Sequence, residues 1–398
     1  MSRPRLEVAD IIRAHGQAFL EAMGERLSSA KKRVLRHLRT CRTAALGGHV
    51  EQCDRCGHER IAYNSCRDRH CPKCQAQASA EWLHARQADL LPVEYFHVVF
   101  TVPEEVARIA LQNKKVVYGI LFAAAAKALQ DIAADPRHLG AQIGFLSVLH
   151  TWGQTLHHHP HVHCVVPGGG LSPDGTRWIA CKPGFFLPVK VLGRVFRGKF
   201  LELLKQAHRD GRLRFQGSPE PLHEGAAFTA HLRSLYEKDW VVYAKPPFGG
   251  PARVLRYLAR YTHRVAISNH RLLAMKDGRV TFSYKDYARG QRQRTMTLHA
   301  TEFLRRFLLH VLPRGFTRIR YHGLLAHRDR TAKLDRCRYL LGQTTTPEWE
   351  AEVREESAEG EANLCPRCKK GHMVRSKRLS VGEAIARQLE EQRKIDSS

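Results

Sequence analysis

The amino-acid sequence predicts an α+β protein, in which an antiparallel sheet with helices follows a leading helix and a small cysteine-rich domain. Three observations support this fold class. Six of the 11 cysteines fall between Cys41 and Cys74. Short apolar stretches with an alternating pattern follow them, and long helical stretches separate these strands. The length of 398 residues is enough for two or three domains.

Each predicted element follows from its local pattern. Apolar residues at helical spacing, and a proline at the start of the last helix, predict helices over 6–40, 76–91, 104–134, 187–213 and 251–264. Alternating or continuous apolar stretches predict strands over 95–103, 143–156, 161–170 and 240–250. A hairpin is predicted over 271–286, turning at Asp277–Gly278. Residues 344–363 are rich in glutamate and predict a solvated linker.

The charge of the chain indicates a polyanionic partner. Lys and Arg number 65 against 38 Asp and Glu, which gives a net charge of +27. No apolar run approaches the roughly 18 residues of a membrane span, and the start of the chain lacks the apolar core of a signal peptide. We therefore expect a reducing cytoplasm, where clustered cysteines bind metal rather than form disulfides.

The cysteine-rich segment contains two knuckles, Cys53-x-x-Cys56-Gly and Cys71-Pro-x-Cys74, separated by 14 residues. Such knuckles are typical of a zinc ribbon, because each places two thiolates on one tight turn and two knuckles complete a tetrahedron. We predict one structural zinc bound by all four cysteines. Folding of so short a segment would then depend on the metal.

Further potential ligands surround these knuckles, and they leave alternatives open. A second zinc bound by Cys41, Cys66 and His70 is one interpretation, with His49 and His58 also nearby. The other interpretation is that Cys41 and Cys66 are small buried residues.

Near the end of the chain, Cys365, Cys368 and His372 form half a zinc site, and Cys337 is the nearest other cysteine. This segment is either a second zinc site or an unfilled knuckle in a basic tail.

The segment "LHHHPHVHCVVPGGG" places five histidines immediately before an apolar strand. His161 and His163 are two residues apart, so on a strand both imidazoles face the same side and form a metal-binding pair. His150 and Gln154 on the preceding strand share a parity, and either is a candidate third ligand. Two imidazoles and a third ligand leave open positions that suit a catalytic divalent ion.

Tyr257 and Tyr261 are four residues apart on a predicted helix and therefore share one face. A tyrosine that attacks a DNA phosphodiester leaves a 3′-hydroxyl and a 5′-phosphotyrosine, which retains the bond energy for later rejoining. Tyrosine pairs at this spacing are also common in protein cores. Here the histidine pair and nearby arginines favour a catalytic role; these arginines are Arg253, Arg256, Arg260 and Arg264.

Taken together, the zinc module, "HTWGQTLHHHPHVHCVVPGGG" and "RYLARYTHRVAISNHRL" resemble the two-tyrosine HUH transposases of bacterial insertion sequences, the family that includes the ISCR elements. The resemblance covers most of the chain. "HPHVH" matches the HUH motif, so His161 and His163 are the implied metal ligands. Tyr257 and Tyr261 match the paired nucleophiles. The family does not fix the third ligand, and we prefer Gln154 over His150.

The resemblance implies a ferredoxin-like HUH core, a catalytic Mg²⁺ or Mn²⁺, and nicking of one strand at the ends of the element. It further implies attachment through tyrosine and transfer of the single strand by a rolling-circle route. The implied partners are single-stranded DNA of the element ends and target DNA. A host helicase is also expected, because the sequence has no phosphate-binding loop of the G-x-x-x-x-G-K-[ST] type. The expected location is the bacterial cytoplasm, at the nucleoid.

These features divide the chain into three predicted domains. Residues 1–92 form a helical and zinc-binding domain, residues 93–330 form the catalytic domain, and residues 331–398 form a C-terminal tail with a possible zinc knuckle.

Overall fold

The structure is a computed structural model that describes residues 4–87, 89–217, 219–248, 266–287, 290–342 and 364–396. Two sequence predictions lie outside these residues. One is the helix over 251–264, which carries Tyr257 and Tyr261, and the other is the linker over 344–363.

Most helices of the first 213 residues were predicted from apolar residues at helical spacing. In chain order, the helices of the described residues are Val8–Met23 (α1), Ser29–Thr40 (α2), Pro72–Gln87 (α3), Glu104–Gln112 (α4), Lys114–Ala134 (α5), Val189–Arg209 (α6), Gly225–Glu237 (α7), Ala300–Leu309 (α8), Arg330–Leu340 (α9) and Val381–Asp396 (α10).

The strands of the described residues pair only with antiparallel neighbours. In chain order they are Gly48–Cys53 (β1), Glu59–Tyr63 (β2), Tyr95–Thr101 (β3), Gly144–Trp152 (β4), His158–Pro167 (β5), Gly169–Leu171 (β6), Trp178–Ala180 (β7), Val242–Phe248 (β8), Leu272–Lys276 (β9), Arg279–Asp286 (β10), Arg292–His299 (β11), Ile319–Gly323 (β12) and Met373–Leu379 (β13).

The chain divides into two compact units. The first comprises Met1–Ala78, His263–Val311 and Glu348–Ser398, and the second comprises Ser79–Thr262 and Leu312–Pro347. The predicted C-terminal tail over 331–398 is therefore corrected. Helix α9 belongs to the second unit, whereas β13 pairs with β1 in the first unit.

The second unit is built on a five-stranded sheet in the order β12-β4-β5-β3-β8. Strand β3 leads through α4 and α5 to the β4–β5 pair, and β5 leads through α6 and α7 to β8. This β-α-β-β-α-β order, with β3 and β5 at the centre of the four strands, is the ferredoxin-like arrangement. The predicted α+β class with an antiparallel sheet is confirmed.

One face of this sheet is packed against helices. Phe100 of β3 and Val162 of β5 lie fully buried in the same apolar cluster as Phe196 and Phe200 of α6. Helix α5 contributes buried side chains to the same cluster, including Tyr118. Since side chains alternate along a strand, the histidines of β5 at odd positions face the other side of the sheet.

Helix α5 is long and apolar enough by composition to cross a membrane, which the sequence analysis did not anticipate. Most of it is buried inside the protein, and Tyr118, Leu121 and Leu129 are fully buried. Burial of this kind is also typical of the core helix of a globular domain. In this structure α5 serves as such a core helix.

The first unit contains two three-stranded sheets, with the orders β13-β1-β2 and β11-β10-β9. The hairpin between β9 and β10 turns at Asp277 and Gly278, whose φ angles are 48° and 68°. Positive φ at both central residues is typical of the type I′ turn that favours Asp-Gly. The predicted hairpin is confirmed. Within the same unit, the side-chain oxygen of Asn269 accepts a hydrogen bond of 3.1 Å from the amide of Val8, so it links the loop before β9 to the start of α1.

Gly323 ends β12 at a point of close backbone approach. Its φ is +56°, and an added Cβ would lie 1.9 Å from the carbonyl oxygen of Ile143. Gly315 has a φ of +72° but open space around the same position. We expect Gly315→Ala to cost about 1–2 kcal/mol of unfolding free energy through its φ alone. Gly323→Ala should cost about 3 kcal/mol or more, because backbone must also shift.

Urea unfolding of the two variants measures this difference. Equal losses of unfolding free energy would show that the close contact between Gly323 and Ile143 is relieved without cost.

Candidate catalytic metal centre and cysteine clusters

Three histidines converge on adjacent strands of the five-stranded sheet. In the antiparallel pairing of β4 with β5, His150 lies opposite His161, and Val148 lies opposite His163. Directly opposed residues share one face of a sheet, and so do residues two apart on one strand. All three imidazoles therefore lie on the face opposite the helix-packed core.

The three rings are close enough to bind one ion. One nitrogen from each of His150, His161 and His163 lies within 4.8 Å of the other two. The ring centroids are 5.5 Å apart for His150 and His161, 4.3 Å for His150 and His163, and 4.8 Å for His161 and His163. His150 and His163 are buried, with 2% and 8% exposure, and His161 is half-buried.

Hydrogen bonds fix the orientation of two of these rings. Nδ1 of His161 lies 2.7 Å from the carbonyl oxygen of His159, which can only accept, so Nδ1 carries the proton and Nε2 presents a lone pair. Nδ1 of His163 lies 2.7 Å from Nε2 of His97 on β3. Such bonds to the distal nitrogen orient metal-binding histidines.

Burial keeps His161 neutral. It lowers the pKa of His161 to about 3, and the neighbouring His159 lowers it further. A neutral imidazole is the form that binds a metal ion. At neutral pH the ring is therefore already in the binding form.

The structure places the two candidate third ligands differently. Strand β4 ends at Trp152, and Gln154 lies in the turn that follows rather than on the strand. The parity argument for Gln154 required the strand to reach residue 154. His150 lies on the strand, with a ring nitrogen within 4.8 Å of those of His161 and His163, so we now prefer His150 as the third ligand.

The other histidines of the cluster have different partners. Nε2 of His158 lies 2.7 Å from the hydroxyl of Tyr118, and Nδ1 of His157 lies 3.0 Å from the hydroxyl of Thr155. Neither of them belongs to the three-imidazole group. Tyr257 and Tyr261 lie outside the described residues.

The cysteines of the first unit form two groups of four thiols. The first group is Cys41, Cys66, Cys71 and Cys74. Sγ of Cys41 lies 3.6 Å from Sγ of both Cys71 and Cys74, and Cys66 lies 3.6 Å from Cys74. A tetrahedral zinc with Zn–S bonds of ~2.3 Å holds its sulfurs about 3.8 Å apart. The group therefore fits zinc.

The second group is Cys53, Cys56, Cys365 and Cys368. Sγ of Cys53 lies 3.7 Å from that of Cys368, and Sγ of Cys56 lies 3.6 Å from that of Cys365. The expected single site of Cys53, Cys56, Cys71 and Cys74 is therefore corrected, because each knuckle meets a different partner.

The remaining expectations for ligands are also resolved by geometry. Cys41 and Cys66 join a four-thiol group, as one interpretation held. His70 does not belong to this group, which the four thiols complete without it. Cys337 is buried and lies outside both groups, so it does not complete the C-terminal half-site.

Hydrogen bonds favour the thiolate form of one cysteine in each group. Those from Cys66 and Cys71 lower the pKa of Cys41 to about 7. Backbone hydrogen bonds from Lys370 and Gly371 lower the pKa of Cys368 to about 6. Since the thiolate is the metal ligand, both shifts favour metal binding near neutral pH.

Comparison of the sequence with known proteins identifies the family of this chain. Residues 144–333 match the family described as "Putative transposase", and residues 11–102 match the family described as "Transposase zinc-binding domain". A Sinorhizobium fredii (strain NBRC 101917 / NGR234) protein described as "Putative transposase y4qJ" is 58% identical over 381 residues, which are 94% of this chain and 96% of the relative. The chain belongs to the IS91-type transposase family.

A second relative agrees. The "Transposase for insertion sequence element IS801" of Pseudomonas savastanoi pv. phaseolicola is 28% identical over 294 residues, which are 72% of this chain and 68% of the relative. The family resemblance drawn from the motifs is therefore confirmed, and the N-terminal region of this transposase is a zinc-binding domain.

Sequence reasoning missed His97 as part of the histidine site. It lies on β3 with 2% exposure, and its ring stacks on His163 with centroids 5.0 Å apart. A lone histidine inside an apolar strand gives no signal by itself. Only the register of β3 with β5, in which Val99 lies opposite His163, brings the two rings together.

We expect His97→Ala to weaken Mn²⁺ binding by about 10- to 100-fold, because the His163 ring loses its orienting partner. Isothermal titration calorimetry of the folded variant measures the affinity, and the exposed His138→Ala serves as the matched control. An affinity equal to that of the control would exclude an orienting role for His97.

Two half-buried histidines also make stability depend on pH. Burial first, then the charge of Lys114, lowers the pKa of His158 to about 3, and burial lowers that of His322 to about 4. An unfolded histidine titrates near 6.5. Between these values only the unfolded chain binds the proton. The contribution of these two histidines to the free energy of unfolding is therefore fully present above pH ~6.5, and it is lost as the pH falls toward 4.

His322→Gln should reduce this loss by at most about 1.4 kcal/mol per pH unit. Glutamine can keep a hydrogen bond to the hydroxyl of Ser147, which now lies 2.8 Å from Nε2 of His322. Urea unfolding at pH 7 and at pH 5 gives the two slopes, with His138→Gln as control. Identical slopes in all three proteins would count against burial of a neutral His322.

Proposed function

We propose that this transposase nicks single-stranded DNA at the ends of its element and becomes joined to it through a 5′-phosphotyrosine. The joined strand is then transferred to a target by a rolling-circle route. The observation that carries the proposal is the convergence of His150, His161 and His163 on one face of the sheet. In a chain of a transposase family, a metal ion bound at such a site could activate the phosphodiester that is cleaved.

The three histidines are the proposed ligands of a catalytic Mg²⁺ or Mn²⁺. The donor set fits a divalent ion, since burial holds His161 neutral and hydrogen bonds orient the rings of His161 and His163. Three protein nitrogens leave coordination positions open for DNA oxygens. A bound divalent ion would polarise the scissile phosphate and offset its developing charge.

The proposed nucleophiles are Tyr257 and Tyr261, which match the family's tyrosine pair. The phenol oxygen forms a bond to phosphorus while the bond from phosphorus to the 3′-oxygen breaks. The departing oxygen takes up a proton and becomes a 3′-hydroxyl, and the 5′-phosphate stays on tyrosine. The number of phosphodiester-type bonds is unchanged, so the step needs no external energy source. Two tyrosines permit a second cleavage while the first end remains attached.

The DNA-binding part of the proposal rests on charge. A net charge of +27 is spread along the chain and attracts the phosphate backbone. Such contacts release counterions, so we expect affinity for DNA to fall steeply with salt. A host helicase is proposed to supply the single strand.

The test uses labelled single-stranded oligonucleotides that tile the ends of the element, incubated with the full chain and Mn²⁺. We expect a labelled species that survives denaturation and migrates with the protein. Tyr257→Phe/Tyr261→Phe should abolish this species and leave DNA affinity within about twofold, because each change removes one hydroxyl. His161→Ala should lower the cleavage rate by at least about 100-fold.

Tyr236→Phe is the matched control, since Tyr236 is exposed on α7 and lies outside the family motif. Cleavage without attachment would indicate a hydrolytic nuclease instead. Binding without any cleavage would indicate a zinc-dependent DNA-binding regulator. Attachment that persists in the double tyrosine variant would refute the assigned nucleophiles.

A further inference from the structure

The second four-thiol group joins segments that are far apart in the chain. Cys53 ends β1 and Cys56 follows it, whereas their partners Cys368 and Cys365 lie 315 and 309 residues later. The matched zinc-binding domain ends at residue 102 and contains only the first half of this group. The C-terminal half therefore belongs to a site that the domain match does not include.

The geometry of this group fits a metal rather than disulfides. The sulfur atoms are 3.6 and 3.7 Å apart across the two halves, close to the spacing of about 3.8 Å in a tetrahedral zinc thiolate site. A disulfide requires a separation of about 2.05 Å. Four thiols whose sulfurs lie within 4.8 Å of one another, without disulfides between them, are the donor set of structural zinc.

Backbone amides support the thiolates on both halves. The amides of Arg55 and Cys56 donate to Sγ of Cys53 at 3.4 and 3.5 Å. On the other half, the amide of Gly371 donates to Sγ of Cys368 at 3.3 Å. Each half is thus a complete knuckle, in which a tight turn points its N–H groups at sulfur.

The two knuckles also interlock directly. The side chain of Asp54 accepts a hydrogen bond of 2.8 Å from the amide of His372, whose carbonyl accepts one of 3.1 Å from the amide of Asp54. Gly371 lies so close that an added Cβ would be 2.5 Å from Sγ of Cys53. The C-terminal knuckle is therefore shaped to fit against the first.

Apolar burial around the group is small. Its buried cluster consists of Cys53, Cys365 and Met373, with Cys368 packed against it. Leu379 and Ala384 pack against Ala44 and Val50 at the other end of β13, but at the knuckles themselves one methionine provides little apolar area. A metal bound by all four thiols would add attraction at this end.

We propose that Cys53, Cys56, Cys365 and Cys368 bind a second structural zinc, which fastens the C-terminal segment of the chain to the N-terminal knuckle. This zinc holds β13 beside β1, where Met373 pairs with Cys53 and Leu379 with Gly48. Within the first unit, this zinc would join two segments that are more than 300 residues apart in the chain.

The first arm of the test counts zinc in the purified full chain by elemental analysis. Cys365→Ser/Cys368→Ser should contain one zinc fewer per chain than the wild type. Cys181→Ser, which changes a half-buried cysteine outside both groups, should lose none. An unchanged zinc content in the double variant would overturn the proposal.

The second arm uses the wild type and so does not depend on folding of a variant. Cys56 is exposed, so without bound metal its thiol would be equally accessible to iodoacetamide whether or not a chelator is present. We expect a strong zinc chelator to raise its alkylation rate by about tenfold or more, because zinc otherwise occupies the thiolate. Cys181 should react at the same rate in both conditions. Equal rates at Cys56 would overturn the proposal, whatever the variant shows.

Discussion

The antiparallel register of β4 with β5 is the constraint on which the histidine site depends. It sets His150 opposite His161 and leaves His163 one repeat further along the same face. A slip by one residue would turn every side chain of β5 to the other face. That slip is prevented by the core, because Leu149 and Val162 are opposed and fully buried on the helix-packed side. Hydrophobic packing on one face thus positions the metal ligands on the other.

Burial has a cost and a benefit at this site. Removing imidazoles from water disfavours their charged form, which lowers the pKa of His161 to about 3. The same loss of hydration prepares the ring for a metal ion, because no proton has to leave first. The hydrogen bonds to His159 and His97 then restrict ring rotation. Burying these polar rings costs free energy, but it leaves them neutral and held in the orientation that a metal ion requires.

Local patterns predicted elements such as β3 and α5 but not α7 to α10, and they could not predict which elements become partners. The period of two identified His161 and His163 as a pair, and Asp277–Gly278 correctly located a turn. His97 was missed, because the register of β3 with β5 is a long-range property of the sheet. The preference for Gln154 assumed that β4 continues to residue 154, but the strand ends at Trp152, and a pattern that continues past the strand gives no signal of that end.

The cysteine groups show the same limit more sharply. Every Cys-x-x-Cys knuckle offers the same two thiolates, so spacing alone cannot decide which knuckles share an ion. Partner choice is made by the backbone around them. Cys53 ends β1, and β13 pairs along that strand, which brings Cys365 and Cys368 to it. Cys71 and Cys74 lie at the start of α3 and meet Cys41 at the end of α2. Strand pairing over more than 300 residues therefore outweighs proximity in sequence.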